Sequence, residues 1–249
     1  MERNVSSLAI VLHSQRYGQL NRRLTMLTVD FGQIQVISYG ARKALKSVKG
    51  EVFTDGQFFL YYNPVKKDYT LKDVQVIATH DEIRSDLETT YAGLLFCELV
   101  MKTNGGDSKD QYGLLSKALD MLCSQPQLCS RILIQFIHKL IGICGLQSDL
   151  NRCPICERSY TEKEILSFNA QLSSPCCLGC ATLDSDMLLP PGARRYLNVT
   201  SAMDFSDAVE IELSEAATQR IKNYMLRYAV IVSGGQLKTL VGGVLQAMV

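Results

Sequence analysis

The chain has 249 residues, of which 47% are hydrophobic and 20% are charged, and its formal net charge is +1. This composition excludes an intrinsically disordered chain and leaves room for one or two domains with buried cores. The most apolar stretch, residues 132–146, contains Gln135, His138 and Lys139 and is too short to span a bilayer. The N-terminus lacks the basic and apolar regions of a secretory signal, so we expect a cytoplasmic protein.

Charge is distributed unevenly along the chain. Residues 1–80 carry eleven Lys and Arg against six Asp and Glu, a net charge of +5, whereas residues 81–249 carry a net charge of −4. A basic N-terminal third indicates an anionic partner there.

Five segments of the first 80 residues have the alternation and the β-branched or aromatic content of strands. They lie at residues 5–13, 24–29, 34–38, 58–62 and 71–79. Five short strands without a strong helix predict a small barrel, and the OB-fold is the commonest barrel of five strands. We therefore expect an OB-fold nucleic-acid-binding domain over residues 1–80.

After His80 the apolar spacing becomes helical. The predicted helices cover residues 86–101, 112–123, 128–143, 215–228 and 237–248. Pro190-Pro191-Gly192 predicts a loop, and Gly242-Gly243 weakens the last helix. The expected fold class is α+β and multidomain, with a helical domain over residues 81–249 that carries a zinc-knuckle insertion at about residues 150–185.

Four of the nine cysteines form two C-x-x-C pairs, Cys153 with Cys156 and Cys177 with Cys180. Two such turns can converge four thiolates on one zinc ion, and a site closed by four protein ligands is structural. One alternative stays open, because Cys176 could replace Cys177 as a ligand. The remaining cysteines lie in apolar helical patterns and are predicted core residues: Cys97, Cys123, Cys129 and Cys144.

A basic cluster lies between the third and fourth predicted strands. Together with arginines upstream, it gives the predicted phosphate-binding residues: Arg22, Arg23, Arg42, Lys43, Lys46 and Lys49. Such a cluster can neutralise several phosphates, and the alternative is a solvated surface loop. Strand aromatics that could stack on bases, or equally belong to the core, are Tyr39, Phe58, Tyr61 and Tyr62.

A catalytic role finds little support. His80-Asp81-Glu82 matches the H-x-E element of zinc deaminases, but the companion P-C-x-x-C element is missing at Pro175-Cys176. There is no phosphate-binding glycine loop, and His13 and His138 have no visible carboxylate or nucleophile partner. We therefore expect a protein that is not an enzyme.

Several segments together resemble the RecO family of bacterial DNA repair proteins. In the N-terminal third these are residues 8–12, Tyr17-Gly18, residues 24–28, Gly32, residues 40–43 and Lys46-Ser47. Further along they are residues 87–99, residues 141–150 leading into Cys153, residues 226–228 and residues 237–239. The similarity covers nearly the whole chain. Two positions depart from the family pattern, since Glu157 stands where a glycine usually follows the second cysteine and Ser174-Pro175 replaces a glycine-rich segment.

This resemblance implies an N-terminal OB-fold, a helical domain and a zinc-binding insertion. It implies a recombination mediator that binds single- and double-stranded DNA, anneals complementary strands, and works with RecR to load RecA. It also implies contact with the acidic C-terminal tail of single-stranded-DNA-binding protein, at the nucleoid and not at a membrane.

Two alternatives from other functional classes remain. A redox-regulated zinc chaperone would also use four cysteines and no catalytic residue, but it would release zinc and gain chaperone activity with peroxide. A general RNA-binding zinc protein would bind RNA without annealing DNA strands.

Overall fold

Five strands near the N-terminus close into a barrel, in the order β1-β2-β3-β5-β4. The computed structural model describes residues 3–40, 50–103, 105–182, 187–241 and 243–247. The barrel strands are β1 (Asn4–Tyr17), β2 (Asn21–Thr28), β3 (Gly32–Ser38), β4 (Asp55–Asn63) and β5 (Asp68–Ala78). A two-stranded sheet, β6 (Ser167–Asn169) with β7 (Ser174–Cys176), lies later in the chain.

The described helices follow the barrel. They are α1 (Leu87–Lys102), α2 (Ser108–Ser124), α3 (Cys129–Ile143), α4 (Pro191–Ser201), α5 (Phe205–Glu210), α6 (Glu215–Val232), α7 (Lys238–Val241) and α8 (Val244–Ala247). Short 3-10 turns occupy Asp81–Ser85, Pro126–Leu128 and Leu178–Cys180. Among the described residues, no helix is long and apolar enough to cross a membrane.

The barrel has the OB-fold arrangement that its strand pattern predicts. The strand β1 pairs with both β2 and β4, which closes the sheet, and β3 runs parallel to β5 through Val36 and Tyr69. Alternate side chains point inward and form one buried core: Ala9, Val11, Leu24, Met26, Val36, Phe58 and Leu60. Phe58 is fully buried, so of the two roles considered for it, core and base stacking, the structure assigns the core.

The helices α1 and α2 belong to the same compact unit as the barrel, Met1–Pro126. One residue that joins the barrel to these helices is His80, whose side chain is buried. Its Nδ1 lies 2.8 Å from the Phe53 carbonyl oxygen and its Nε2 lies 3.0 Å from Asp120 Oδ1 on α2. Beside it, Tyr112 and Ser116 of α2 donate hydrogen bonds to Asp55 at the start of β4. His80 of the H-x-E element therefore has a structural role, because both of its ring nitrogens are within hydrogen-bond distance of protein oxygens.

The second compact unit, Gln127–Val249, is built around α3. Three polar residues interrupt this apolar helix, and each reaches α4 or its C-terminal end. Gln135 donates to the Tyr196 hydroxyl at 2.8 Å, and His138 Nε2 lies 2.8 Å from the Leu197 carbonyl oxygen. Lys139 donates to the Thr200 carbonyl at 2.6 Å, where a cation complements the helix dipole.

Two sequence-based predictions in this unit were wrong. Pro190-Pro191-Gly192 does not form a loop, because α4 begins at Pro191. Proline suits the first helical position, since its fixed φ fits and the missing N–H would have no intrahelical partner there. The predicted helix over residues 237–248 is instead two short helices, α7 and α8, with Gly243 at φ +70° between them.

The predicted boundary at residue 80 coincides with the change from strands to helices, whereas the two compact units divide at residue 126. The role of residue 80 as a domain boundary, and the extent of the zinc-knuckle insertion, stay predictions.

Acid is expected to destabilise the second unit through His138. Burial, opposed in part by the hydrogen bond to Leu197, lowers the pKa of His138 to about 4. Between pH 6.5 and pH 4 the unfolded chain binds a proton that the folded protein excludes, so stability falls as the pH falls through this window. The loss should reach about 3 kcal/mol. Urea unfolding followed at pH 7, 5.5 and 4.5 would measure it.

The matched control for this prediction is His138→Gln, which keeps a donor for Leu197 but cannot titrate. Both proteins carry the same cysteines, so the difference between their pH profiles isolates the histidine. Parallel profiles would contradict the assignment.

Candidate metal centre and nucleic-acid interface

The two C-x-x-C segments form turns that face each other within the second unit. In the first turn, the backbone N–H of Glu157 donates to the Cys153 carbonyl at 3.0 Å. In the second, the N–H of Cys180 donates to the Cys177 carbonyl at 3.0 Å, immediately after β7. Each turn brings its two sulfurs to the same side, which is why the x-x spacing suits metal ligation.

The four sulfurs of Cys153, Cys156, Cys177 and Cys180 all lie within 4.8 Å of one another. The Cys156 and Cys177 sulfurs are 3.8 Å apart. A tetrahedral zinc site with Zn–S bonds of about 2.3 Å has edges of about 3.8 Å, so the quartet fits a metal ion of this kind. All four cysteines are free of disulfides. The predicted ligand set is therefore brought together as one candidate metal site.

Electrostatics favour a thiolate at the buried end of the site. Burial of Cys153 opposes its ionisation, but the backbone N–H groups of Cys156, Cys177 and Ile155 outweigh that cost and lower its pKa to about 6. A hydrogen bond with Cys177, with a further contribution from burial, raises the pKa of Cys180 to about 12. A bound dication would displace that proton, so metal binding should release protons.

Cys176, the alternative ligand, stands outside the quartet. It is buried at the end of β7, and burial together with the neighbouring cysteines raises its pKa to about 11. The raised pKa does not separate it from Cys180, whose pKa is higher still. Geometry favours Cys177 at this turn, because its sulfur belongs to the quartet.

Contacts around the quartet hold the two turns in place. Arg158 pairs with Glu164, with Nη1 at 3.0 Å from Oε2, and Asn169 Nδ2 donates to the Cys180 carbonyl at 3.0 Å. Such outer contacts orient metal ligands. Sequence reasoning missed them because they join residues 6 and 11 positions apart, with no motif to mark them.

The first turn contains a residue in an unfavourable conformation. Glu157 has φ +58°, the left-handed region that glycine adopts without cost. We expect Glu157→Gly to stabilise the second unit by about 1 kcal/mol, because the left-handed penalty is removed. Chemical unfolding of the metal-loaded protein would measure the gain.

Glu157→Ala is the control for this change. It removes the same side chain but keeps a Cβ at positive φ, so it should give no such gain. An equal effect of both substitutions would show that charge, and not backbone strain, sets the cost.

On the barrel, Arg22 and Arg23 point to opposite sides of β2. Arg22 forms an ion pair with Glu51, Nη1 to Oε1 2.7 Å, and reaches Ser14 of β1. The Arg23 guanidinium lies 4.5 Å from the centre of the Tyr17 ring. Arg22 thus carries a partner that a phosphate would have to displace, a feature that nothing in the local sequence reveals.

The basic cluster itself, Arg42, Lys43, Lys46 and Lys49, lies outside the described residues. Its two ends are described. The N–H of Gly40 donates to Asn21 Oδ1 at 3.0 Å, and Glu51 meets Arg22. Both ends of the segment are therefore tied to the beginning of β2.

The candidate stacking aromatics have different surroundings. Tyr39 is 62% exposed. Tyr61 is half-buried beneath Lys72, whose Nζ lies 5.2 Å from the ring centre. Tyr62 packs against Tyr69 with ring centres 4.9 Å apart. Tyr39 is therefore the most accessible of the four residues considered, and Tyr17, which sequence reasoning did not select, is also exposed.

Comparison with known proteins agrees with the architecture. Residues 1–80 match the family model described as Recombination protein O N terminal, and residues 84–240 match that described as Recombination protein O C terminal. Three relatives are each described as DNA repair protein RecO. That of Desulforamulus reducens is 25% identical over 236 residues, covering 93% of this chain and 90% of the relative.

The relative from Bacillus subtilis is 26% identical over 235 residues, covering 92% of this chain and 90% of its own. The relative from Syntrophotalea carbinolica is 29% identical over 184 residues, covering 72% of this chain and 70% of the relative. Both family models are matched in chain order, and together they span the barrel, the helices α1 to α6 and the cysteine quartet. The chain therefore belongs to the RecO family of DNA repair proteins.

Proposed function

We propose that this chain is a recombination mediator. It binds single- and double-stranded DNA, anneals complementary strands, and helps RecR to load RecA onto DNA coated with single-stranded-DNA-binding protein. The observation that carries the proposal is family membership over both parts of the chain, combined with a basic barrel.

The charge of the barrel supports the DNA-binding part of this proposal. The strands β1, β2 and β3 contain Arg16, Arg22 and Arg23 and no acidic residue. The segment of Arg42, Lys43, Lys46 and Lys49 follows β3 directly. Cations grouped in this way screen the repulsion between two phosphate backbones. Annealing requires that two strands be held close together despite this repulsion. Base pairing then supplies the driving force.

The metal site has a structural role in this proposal, and the ion is zinc. Cys153, Cys156, Cys177 and Cys180 would hold it, filling all four positions so that no water or substrate can bind. When bound, the ion supplies cross-linking of two turns and not catalysis. The protein acts without an enzymatic step, by positioning DNA strands and partners.

Three protein partners complete the proposed function. RecR and the acidic tail of single-stranded-DNA-binding protein bind this chain directly, and RecA is reached through them. The positive charge that attracts DNA would also attract an acidic tail. At low salt the two ligands should therefore compete for this chain, and each should weaken the binding of the other.

The test is annealing of two complementary oligonucleotides that have been coated with single-stranded-DNA-binding protein. The full chain should raise the rate of duplex formation well above the rate without it. In a parallel assay with RecA, the chain together with RecR should raise the rate at which RecA assembles on the coated strand. No acceleration on coated strands, at any salt concentration that permits binding, would refute the mediator proposal.

The same preparation distinguishes the two alternatives. Peroxide that releases the metal and produces chaperone activity would favour the redox chaperone. Tight RNA binding without DNA annealing would favour the RNA-binding protein.

A further inference from the structure

A short irregular segment connects the basic cluster to β4, and the helical part of the same compact unit holds it in place. We call residues 50–54 the return segment, since they directly follow Lys49, the last cation of the basic segment at residues 42–49. We propose that Phe53 is a positioning residue for DNA binding, held by His80, Arg84 and Gly93 so that the basic segment starts from a fixed point. The inference rests on the proposed DNA-binding function and adds to it residues that act without touching DNA.

Phe53 has a backbone conformation that phenylalanine rarely adopts. Its φ is +75°, in the left-handed region, and its side chain is only 2% exposed. A bulky residue in this region is an outlier, and it persists only where the surrounding contacts outweigh the cost. His80, which contacts the Phe53 carbonyl, is itself left-handed with φ +50°. Tertiary contacts, and not local preference, therefore determine where Phe53 lies.

The backbone of the return segment is bonded on two sides. On the side of the helices, His80 Nδ1 lies 2.8 Å from the Phe53 carbonyl oxygen, and Arg84 Nη2 donates to the Val52 carbonyl at 2.7 Å. On the side of the barrel, the N–H of Phe53 donates to the Val11 carbonyl of β1 at 2.9 Å. An irregular segment whose polar backbone groups are paired in this way has little freedom to move.

The Phe53 ring lies against α1 at a glycine. A Cβ at Gly93 would be 3.1 Å from the ring Cζ and 3.4 Å from Ile83, closer than a side chain is normally packed. The Arg84 guanidinium lies 5.5 Å from the ring centre and adds a cation–π contact. Glycine within a helix is less stable than alanine, so its presence here is explained by the close approach of the ring.

The return segment is also fixed where it leaves the basic segment. Gly50 has φ +106°, and a Cβ there would lie 3.0 Å from the Leu24 side chain of β2. The next residue, Glu51, pairs with Arg22 at 2.7 Å. The contacts of Gly50 and Glu51 with β2 and those of Phe53 with α1 therefore hold the same five residues, directly after the last clustered cation.

Fixing one end of the basic segment should raise its affinity for phosphates. A segment that is free at that end loses more conformational entropy when its cations are held against a DNA backbone. Loss of the anchoring contacts leaves every cation in the chain, so the number of released counterions should not change. Affinity should therefore fall by the same factor at all salt concentrations, with the slope of log affinity against log salt unchanged.

The experiment measures binding of the full chain to a 20-nucleotide oligothymidylate and to a duplex of equal length over a salt series. His80→Leu, which removes the contact with the Phe53 carbonyl, should weaken binding of both probes about 10-fold. Gly93→Ala, which places a methyl group against the ring, should weaken it about 3-fold. Both variants should keep the wild-type slope. His80→Gln keeps a donor for the carbonyl and should restore most of the affinity.

Gly113→Ala is the matched control, because it makes the same substitution in α2 at a position where a Cβ would meet nothing within 4 Å. It should leave the affinity for both probes unchanged. Titration at protein concentrations well above the dissociation constant gives the fraction of competent protein, so misfolding would appear as lost stoichiometry and not as lost affinity.

Hydrogen exchange tests the positioning step without DNA. In His80→Leu and Gly93→Ala, the amides of Phe53 and Thr54 should exchange faster, because their bonds to Val11 and Glu51 open more often. Amides within β2 should keep their wild-type protection, since the barrel core does not include either substituted residue.

The outcomes separate the inference from the function on which it rests. Variants with faster exchange at Phe53 but wild-type DNA affinity would overturn the positioning role while leaving DNA binding in place. Unchanged exchange in both variants, a reduced salt slope, or an equal loss of affinity in Gly113→Ala would overturn it as well. Wild-type protein that binds neither probe would refute the proposed function itself.

Discussion

Replacing Cys177 with serine is expected to abolish stoichiometric metal binding and to unfold the segment around the two cysteine turns. The quartet sulfurs lie within 4.8 Å of one another, so removing one of them would leave three thiols, too few to close a tetrahedral site. Structural zinc contributes about 10–16 kcal/mol in small zinc-binding peptides, which is comparable to the whole stability of a typical domain. Metal content and thermal unfolding of the purified full chain would show the loss.

Cys176→Ala provides a matched control, since the two cysteines are adjacent and both are buried. Cys176 lies outside the quartet, so this variant should retain its metal and lose only about 1 kcal/mol of packing. If Cys176→Ala lost the metal and Cys177→Ser kept it, the ligand assignment would be reversed. Removing the metal from wild-type protein with a chelator should reproduce the unfolding seen with Cys177→Ser.

The barrel is expected to remain folded in the Cys177→Ser variant. It belongs to the other compact unit, and its core contains none of the four cysteines. Cys177→Ser should therefore retain affinity for oligothymidylate while losing the stability of the second unit. Such a result would separate the structural role of the metal from DNA binding.

Reversing the charges of Arg42, Lys43, Lys46 and Lys49 to glutamate is expected to reduce DNA affinity at least about 100-fold at 0.1 M salt. Phosphate contacts release counterions, and each contributes about 0.7 to 0.9 to the slope of log affinity against log salt. Neutral glutamine variants at all four positions should therefore lower the slope by up to about 3 for single strands and about 3.6 for duplexes. Both single strands and duplexes should be affected, because the phosphates are common to both. Fluorescence anisotropy over a salt series would measure affinity and slope together.

A control with the same change in net charge uses four exposed cations elsewhere: Lys109, Lys163, Arg220 and Lys238. Reversal of these should reduce affinity far less if the basic segment makes the local contacts. A loss equal to that of the segment variant would mean that total charge, and not this segment, governs binding. Unchanged affinity of the segment variant at low salt would contradict the assignment directly.

Glu51 would compete with a phosphate for Arg22. The 2.7 Å ion pair between them is partly exposed, so its own contribution to stability is small. A phosphate can therefore compete for Arg22 without a large cost to the fold. If Arg22 binds DNA as proposed, a phosphate would replace the Glu51 carboxylate as its partner.

Much of the local structure was predictable because it depends on short-range patterns. Period-two alternation, or apolar, β-branched and aromatic content, predicted each barrel strand, and helical spacing placed α1, α2, α3 and α6 within a few residues of their observed bounds. The cysteine quartet was predictable for the same reason, since a C-x-x-C turn fixes two sulfurs by local geometry alone. Residues 191–201 were mispredicted because a Pro-Pro-Gly sequence is compatible with both a loop and the first turn of a helix.

Polar residues inside apolar patterns were the hardest to interpret. Gln135, His138 and Lys139 interrupt an apolar helix, and their purpose becomes visible only when α4 is seen beside them. His80 is similar: the missing P-C-x-x-C element argued against catalysis, but its structural role is visible only from the contacts of its two nitrogens with Phe53 and Asp120. These hydrogen bonds join residues far apart in the sequence, so no local motif could reveal them.

The sequence by itself determined the fold class, the ligand types of the metal site and the basic character of the N-terminal third, because each follows from residue type at fixed local spacing. Only the tertiary structure placed Cys177 in the quartet, paired Arg22 with Glu51, buried Phe58 and left Tyr17 and Tyr39 exposed. Those outcomes depend on which way a side chain points and on which distant strand or turn lies next to it. That arrangement depends on the register and closure of the barrel and on the packing of two cysteine turns against each other. None of these is a property of a short segment.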